Sequence, residues 1–410
     1  MRIIFCNRYV PPDLSATSQL LSDLAAHLAA QGVQVILLGS RQRYDDASAD
    51  LPVSEVIDGY TVHRVGSSSR GRDALAGRAL AYLDYLRDVK RALAQLLQPG
   101  DLVVAMTDPP LLGAAIDGVV ARKGARCVQW LQDLFPEVAE GVFGRGLRLP
   151  AAPLHWQRNR SLRRSERVVV ISQDMAARIA ALGVPRERIT VIENWTDDVA
   201  IRPLPREANP LRDAWGLQGK FVVGYSGNLG RAHDWRTMLE VATRLRDRED
   251  IRFVLIGGGR GLRDFSEAAQ ARGLANVQLQ PYQPRGALAH SLALPDLHWL
   301  SLRPALEGCI FPSKWYGILA AGRPSLFIGD PEGEIARRLR EAGCGFAVAP
   351  GRVDAAQGFI ERLASDPGEA AAMGERARAH LANGLHRDSA LNRWSSLVGD
   401  LRVAASSKHD

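Results

Sequence analysis

The chain has 410 residues, 46% of them hydrophobic and 24% charged, and a formal net charge of +7. This length fits two or three domains, and the composition excludes a disordered or fibrous chain. No run of about 18 apolar residues occurs, so no membrane-spanning helix is expected. The opening MRIIFCNRYVPP reads as a first strand and not as a secretion signal. The four cysteines (Cys6, Cys127, Cys309, Cys344) are far apart and lack metal-ligand spacing. They read as reduced thiols of a cytoplasmic protein, with Cys309 a buried structural residue.

In chain order, Ile3–Cys6 is a strand, Ser18–Gln31 a helix and Gln34–Leu38 a strand. Thr61–Val65, helix Leu75–Leu97, Leu102–Ala105, helix Leu111–Lys123, Arg126–Leu131, Arg167–Ile171 and Ile189–Ile192 continue the alternation. A second series follows the proline-bearing link 201–210. It comprises strand Phe221–Tyr225, helix Asp234–Asp247, strand Arg252–Ile256, helix Asp264–Arg272 and strand Val277–Leu279. Helix Pro284–Ala293, strand Leu297–Leu302, a helix at Lys314, strand Ser325–Ile328 and helix Glu334–Ala342 complete it, and Pro367–Arg402 is helical. Strand–helix alternation with short links predicts α/β architecture: two doubly wound Rossmann-like domains facing a cleft, with ligands at the carboxyl ends of the strands. The expected boundaries are 1–200, 201–385 and a terminal helix over 386–410, which the family resemblance given below returns to the first domain.

Several residues carry chemistry. Pro312 and Ser313 read as a turn and cap before a short apolar helix with Lys314 in its first turn, ending at Gly322. A lysine there suits a phosphate; the plainer reading is a capped core helix with an exposed lysine. Gly227, Asn228, Leu229 and Gly230 form a turn after Phe221–Tyr225, followed by Arg231 and His233. Glycine N–H groups cradle anions and Arg231 adds a fork of donors, although a tight structural turn explains the pattern as well. Asp234 reads as a helix cap. Gly257, Gly258 and Gly259 make a similar turn, but no Gly-x-Gly-x-x-Gly opens a helix, so a nicotinamide cofactor is not indicated.

In the first half, Asn7, Pro12, Ser15 and Thr17 form a small polar loop suited either to an acceptor or to capping the first helix. Asp133 ends a strand, where a general base would sit or where a turn-capping carboxylate would sit. Glu137 reads as a cap of the next segment, and Asn194-Trp195 as a packed hinge. Residues 141–167 hold seven arginines against one acid, Glu166, with Leu154 and Trp156 among them. Such a segment suits an anionic membrane surface or a solvated helix face; no motif supports nucleic acid.

Taken together, the pieces resemble a known family. They are Pro11-Pro12, Gln132–Glu137, Val168–Met175, Asn194-Trp195, Ser226–Asp234, Gly257–Gly259, Pro281–Arg285, Pro312–Lys314, Ala320–Pro324 and Gly343–Gly345. The chain resembles the retaining glycosyltransferases of family 4 with two Rossmann-like domains (GT-B), particularly the branch of N-acetylfucosamine transferases and colanic-acid-type enzymes of bacterial surface polysaccharide.

The resemblance implies a nucleotide sugar, with uridine the usual base, on the C-terminal domain and an acceptor on the N-terminal one. The donor diphosphate is expected between the Gly227–Arg231 loop and Lys314, with Tyr282 and Gln283 near the base and Glu334 on the ribose or sugar. No cofactor or metal is expected, because Lys314 and Arg231 carry the leaving-group charge; Asp133 or the departing phosphate takes the acceptor proton. Domain closure would exclude water. The expected acceptor is a lipid-linked saccharide at the inner face of the cytoplasmic membrane. One departure stands out: two glutamates common in the family fall at Cys309 and Gly317, with Glu307 nearby as a substitute. Two rival readings are a non-hydrolysing sugar-nucleotide epimerase and a non-catalytic nucleotide-sugar-binding protein.

Overall fold

A computed structural model of the chain describes residues 2–43, 46, 49–66, 75–144, 146 and 148–406. The chain forms two compact units, one of residues up to Glu193 together with those from Leu391 onward, the other Asn194–Ala390.

The first unit holds strands β1 (Arg2–Cys6), β2 (Gln34–Ser40), β3 (Ser54–Ile57), β4 (Tyr60–Val65), β5 (Leu102–Ala105), β6 (Arg126–Leu131), β7 (Arg167–Val170) and β8 (Ile189–Val191). Its helices are α1 (Ala16–Ala30), α2 (Leu75–Leu96), α3 (Leu112–Arg122), α4 (Glu137–Phe143), α5 (Arg148–Arg164) and α6 (Gln173–Ala181). The sheet order is β3-β4-β2-β1-β5-β6-β7-β8. Pairing is parallel except for β3 against β4.

Buried parallel strands read as unbroken apolar runs, and β5 (Leu-Val-Val-Ala) is buried at every position. Side chains two apart share a face, so Ile4, Cys6, Ile36, Leu38 and Val103 pack with Tyr85, Val89 and Leu93 of α2 and with Ile116 of α3. Strand β3 was not expected. It is short, mixes polar and apolar residues on each face and is half-exposed, and joins β4 through Asp58-Gly59, both at positive φ (45° and 83°), as a two-residue hairpin turn requires.

The second unit contains α7 (Pro210–Ala214), β9 (Phe221–Asn228), α8 (Arg236–Arg244), β10 (Ile251–Gly258), α9 (Arg260–Ala271), β11 (Val277–Gln280), α10 (Leu288–Ala293) and β12 (Leu297–Ser301). It continues with α11 (Lys314–Ala320), β13 (Ser325–Ile328), α12 (Glu334–Ala342), β14 (Gly345–Val348), α13 (Val353–Ser365) and α14 (Pro367–Ala382). The sheet is wholly parallel, ordered β11-β10-β9-β12-β13-β14. The proline-bearing stretch read as a link lies inside this unit, where Asn209 caps α7 through the Leu211 N–H at 3.1 Å. The helical end of the chain is α14 and then α15 (Arg387–Ser406), broken near Gly384 at φ 91°. Within the first unit, the ring of Trp394 on α15 lies 4.7 Å from Trp130 and 6.4 Å from Phe5.

Both sheets are fastened at their amino edges by an arginine–aspartate pair. In the first, Arg2 clasps Asp101 at 2.6 and 3.1 Å, tying β1 to the start of β5. In the second, buried Asp296 accepts from Arg212 at 2.7 Å and from the Val222 N–H at 2.8 Å, tying β12 to β9. These pairs fix, at one end, the two strands between which each sheet reverses its order.

Candidate functional site

Strand order in the second unit reverses between β9 and β12. In such sheets ligands bind at this point, beyond the strands' carboxyl ends. The pairing of β9 with β12 covers only Leu297↔Val223 and His298↔Gly224, whereas β9 and β10 stay paired as far as Asn228. The strands therefore part just before the edge where Gly227 and Lys314 lie.

Gly227 and Asn228 were read as a turn but belong to β9, opposite Gly257 and Gly258. The reason is close approach. Gly227, Gly257 and Gly259 have φ of 123°, 131° and 109°. A Cβ on Gly257 would lie 2.3 Å from the Gly227 carbonyl, and one on Gly259 2.2 Å from Asn228 Oδ1. Only glycine permits that conformation and spacing. Leu229 is buried, its N–H donating to the Gly258 carbonyl at 2.8 Å. Gly230 turns the chain, its carbonyl receiving the His233 N–H at 3.3 Å. Arg231 is exposed at the loop tip, and Asp234 caps α8 through the Thr237 N–H at 3.0 Å.

The Lys314 ammonium lies 3.7 Å from the centroid of the Tyr225 ring, contacts that residue's hydroxyl, and is 3.8 Å from where a Cβ on Gly227 would stand. Among the described residues, none of its contacts is a carboxylate. Burial lowers it to about 7, while burial raises the Tyr225 hydroxyl well above its ordinary value. Below Tyr225 lies Trp299, 5.0 Å away.

His233 Nδ1 donates to the Ser301 carbonyl at 2.5 Å. Burial first, and Lys314 second, lower this imidazole to about 3. It is therefore neutral near pH 7, with Nε2 left as a hydrogen-bond acceptor. An acceptor nitrogen suits a hydroxyl better than a phosphate oxygen.

Other expected donor residues divide. Tyr282 is 61% exposed and its ring edge lies 3.0 Å from a Cβ placed on Gly258, so it borders the same crevice. Gln283 folds onto the Pro281 carbonyl at 2.9 Å. Ser313, expected as a cap, is exposed, has helical φ and ψ and makes no capping hydrogen bond; the buried Pro312 carbonyl instead receives the Trp315 N–H at 3.0 Å. Glu307 is bound to the start of α12, accepting the Glu334 N–H at 2.8 Å. Glu334 itself is buried and held by Arg338 at 2.6 and 3.1 Å, so its carboxylate is occupied within its own helix. Cys309 is buried.

In the first unit, Asp133 follows β6 and borders a small pocket of ≈ 100 Å³ shared with Met106, Leu111, Leu131, Phe135 and Arg158. Although exposed to solvent, its carboxyl is raised by surrounding protein to about 6. The loop after it is anchored by buried Arg158, which clasps Glu137 at 2.6 and 3.0 Å and donates to the Phe135 carbonyl at 3.1 Å. Arg158 had been grouped with a basic surface and proves internal. Arg145 and Leu147 of that segment lie outside the described residues. Its visible surface carries Trp156, 61% exposed, with Arg160 stacked at 5.4 Å, and exposed Arg163 and Arg164.

Among the acceptor candidates, Asn7 is buried and structural, donating to the Tyr9 carbonyl at 2.7 Å and to Thr17 Oγ1 at 3.4 Å. Ser15 stands at the cap position of α1 without a side-chain capping bond, and Pro12 is exposed. Sequence reasoning missed Tyr225, which reads as an ordinary core aromatic on a strand, and Arg158.

The sequence matches the family description "Glycosyl transferase 4-like domain" over residues 17–195 and "Glycosyl transferases group 1" over residues 209–380. It is 26% identical over 371 residues to a protein named putative colanic acid biosynthesis glycosyl transferase WcaI of Escherichia coli (strain K12), covering 85% of this chain and 88% of that protein. Its fold is similar to sucrose-phosphate synthase from Thermosynechococcus elongatus (TM-score 0.79, 15% identity, 98% of this chain and 100% of that one). It is likewise similar to Anabaena Alr3699/HepE in complex with UDP-glucose (TM-score 0.73, 15% identity, 98% and 100%). Among the described residues, no helix is long and apolar enough to cross a membrane.

Proposed function

The chain belongs to the glycosyltransferases of GT-B fold, a 4-like domain followed by a group 1 domain, and from that premise we propose that its second unit binds a nucleoside-diphosphate sugar at the β9/β12 edge. The observation that carries this reading is the Lys314 amine, half-buried over Tyr225 beside Gly227 and, among the described residues, facing no carboxylate. An amine so placed is held ready for an anion. A bound diphosphate raises its proton affinity and restores the charge.

Transfer breaks the bond between the anomeric carbon and the diphosphate oxygen. Negative charge grows on the leaving diphosphate, where Lys314, Arg231 and loop N–H groups stabilise it without a metal. The acceptor hydroxyl attacks with retention and loses its proton to Asp133 or to the departing phosphate. His233, neutral with a free acceptor nitrogen, suits a sugar hydroxyl. The base we favour is uridine, in keeping with the UDP-glucose seen in HepE. The sugar is an N-acetylated amino or deoxy sugar and the acceptor a lipid-linked saccharide of bacterial polysaccharide synthesis, in keeping with the relative named for colanic acid. The Trp156/Arg160 face of α5 supports peripheral attachment to an anionic cytoplasmic membrane surface.

The test is calorimetric titration of UDP, GDP and dTDP against the wild type and Lys314→Ala. The reading expects UDP to bind the wild type and to bind the variant at least tenfold more weakly. Equal affinity in the two proteins overturns the site.

A further inference from the structure

The sheet of the first unit also reverses its strand order once, between β1 and β5. Arg8 stands there, two residues beyond β1, its N–H donating to the Asp108 carbonyl beyond β5 at 2.7 Å. Its side chain is 3% exposed. The guanidinium carbon lies 4.9 Å from the Tyr82 ring centroid, 5.4 Å from Tyr9 and 6.0 Å from Tyr85. Among the described residues it forms no ion pair and no side-chain hydrogen bond, and Nε is sealed from solvent without a partner.

That is an unusual state for a permanent charge. Buried arginines are normally matched by a carboxylate, as Arg64, Arg158 and Arg212 are here. Ring contacts of this kind do not use up the N–H donors, so the guanidinium keeps the planar fork that fits a phosphate. We propose that Arg8 is the anchor for a phosphoryl group of the acceptor, specifically the diphosphate of a polyprenyl-linked saccharide. The inference deepens the reading given above and rests on it for the saccharide.

The choice of an amphiphile over a free anion follows the lipid-linked acceptor proposed above. Tyr82 lies on α2, and on the same stretch of that helix Leu80 and Leu83 are 47% and 62% exposed. At about 100° per residue those leucines lie about 160° and 100° around α2 from Tyr82, so they mark an exposed apolar strip on that helix and not a wall of the Arg8 site. The two units then share one plan: each fastens its reversing strands with an arginine–aspartate pair at one edge and holds an unmatched cation at the other.

The test measures equilibrium binding of farnesyl diphosphate, farnesol and inorganic diphosphate to the full chain, with saturating UDP present. Wild type, Arg8→Met and Arg8→Lys are compared. Farnesyl diphosphate is expected to bind the wild type at least tenfold more tightly than it binds Arg8→Met, with Arg8→Lys between them because it keeps the charge and loses the fork. Farnesol is expected to bind all three alike. If Arg8→Met fails to fold, Arg8→Lys alone decides, by a measurable weakening confined to the diphosphate. Equal affinity of wild type and variant for farnesyl diphosphate overturns the proposal, as does inorganic diphosphate competing as strongly as the prenyl compound. Failure of UDP itself to bind is a separate result, which strikes the donor site and not Arg8.

Discussion

The Lys314 ammonium rests on the face of Tyr225, 3.7 Å from the ring centroid, and this contact explains how a lysine remains inside the sheet edge without a carboxylate. The ring's negative face supplies part of the missing stabilisation. The remainder is left for a ligand.

Replacing Lys314 by Met is therefore expected to separate activity from stability. Loss of one charged donor from a leaving-group site lowers kcat by roughly 10²–10³, or roughly 2.7–4 kcal/mol. The melting temperature is not expected to fall. The folded amine, at about 7, binds fewer protons than the unfolded one, so this residue's contribution to stability rises with pH between the two values and is unfavourable at neutral pH. Steady-state kinetics beside thermal melts check both halves.

Donor affinity has a signed pH dependence for the same reason. Above about 7 the free amine loses its proton, and a bound diphosphate must recruit it again. UDP affinity is expected to weaken steadily between pH 7 and 9 in the wild type and to be flat over that span in Lys314→Met. Calorimetry in two buffers of different ionisation enthalpy counts the proton taken up.

Asp133 is expected to set an acid limb. Its carboxyl, raised to about 6, is protonated below that pH and cannot accept the acceptor proton. The pH–rate profile is expected to fall below pH 6 in the wild type. Asp133→Asn is expected to be slow throughout and to lack that limb; an unchanged limb in the variant assigns it elsewhere.

Gly257→Ala is expected to destabilise the second unit. The new methyl meets the Gly227 carbonyl at 2.3 Å, from a φ of 131° that costs a side chain about 1–3 kcal/mol even in open space. Denaturant melts report the loss, and Gly286→Ala, where nothing lies within 4 Å, is the control.

Removing the guanidinium with Arg158→Met leaves Glu137 half-buried without its clasp, at a cost of about 3–5 kcal/mol. Because Arg158 also holds the Phe135 carbonyl, the variant is expected to lose turnover beyond its loss of folded protein, measured by rate per folded molecule.

The strands and most helices were legible because buried parallel strands write apolar runs and helices write amphipathic ones. β3 was missed because an edge strand such as Ser-Glu-Val-Ile has no apolar face to show, although Asp58-Gly59 carried the hairpin signal. Lys314 and the glycines stood out through residue type and position after strands. Tyr225 and Arg8 did not, because an aromatic on a strand and an arginine after one are ordinary until their surroundings are seen. The partners of Glu307 and Glu334 were not legible: Glu307, noted as a nearby substitute for a family glutamate, accepts the first N–H of α12, and Glu334 is held by Arg338 of its own helix.

The packing of Trp394 against Trp130 and Phe5 has a bearing on biosynthesis. Strands β1 and β6 are synthesised well before the helix that completes the packing around them. Until α15 emerges, the first unit lacks the indole of Trp394 against Trp130 and Phe5. A fragment ending at residue 193 is on that account a poor reagent, and one carrying residues 387–406 in trans is the better one.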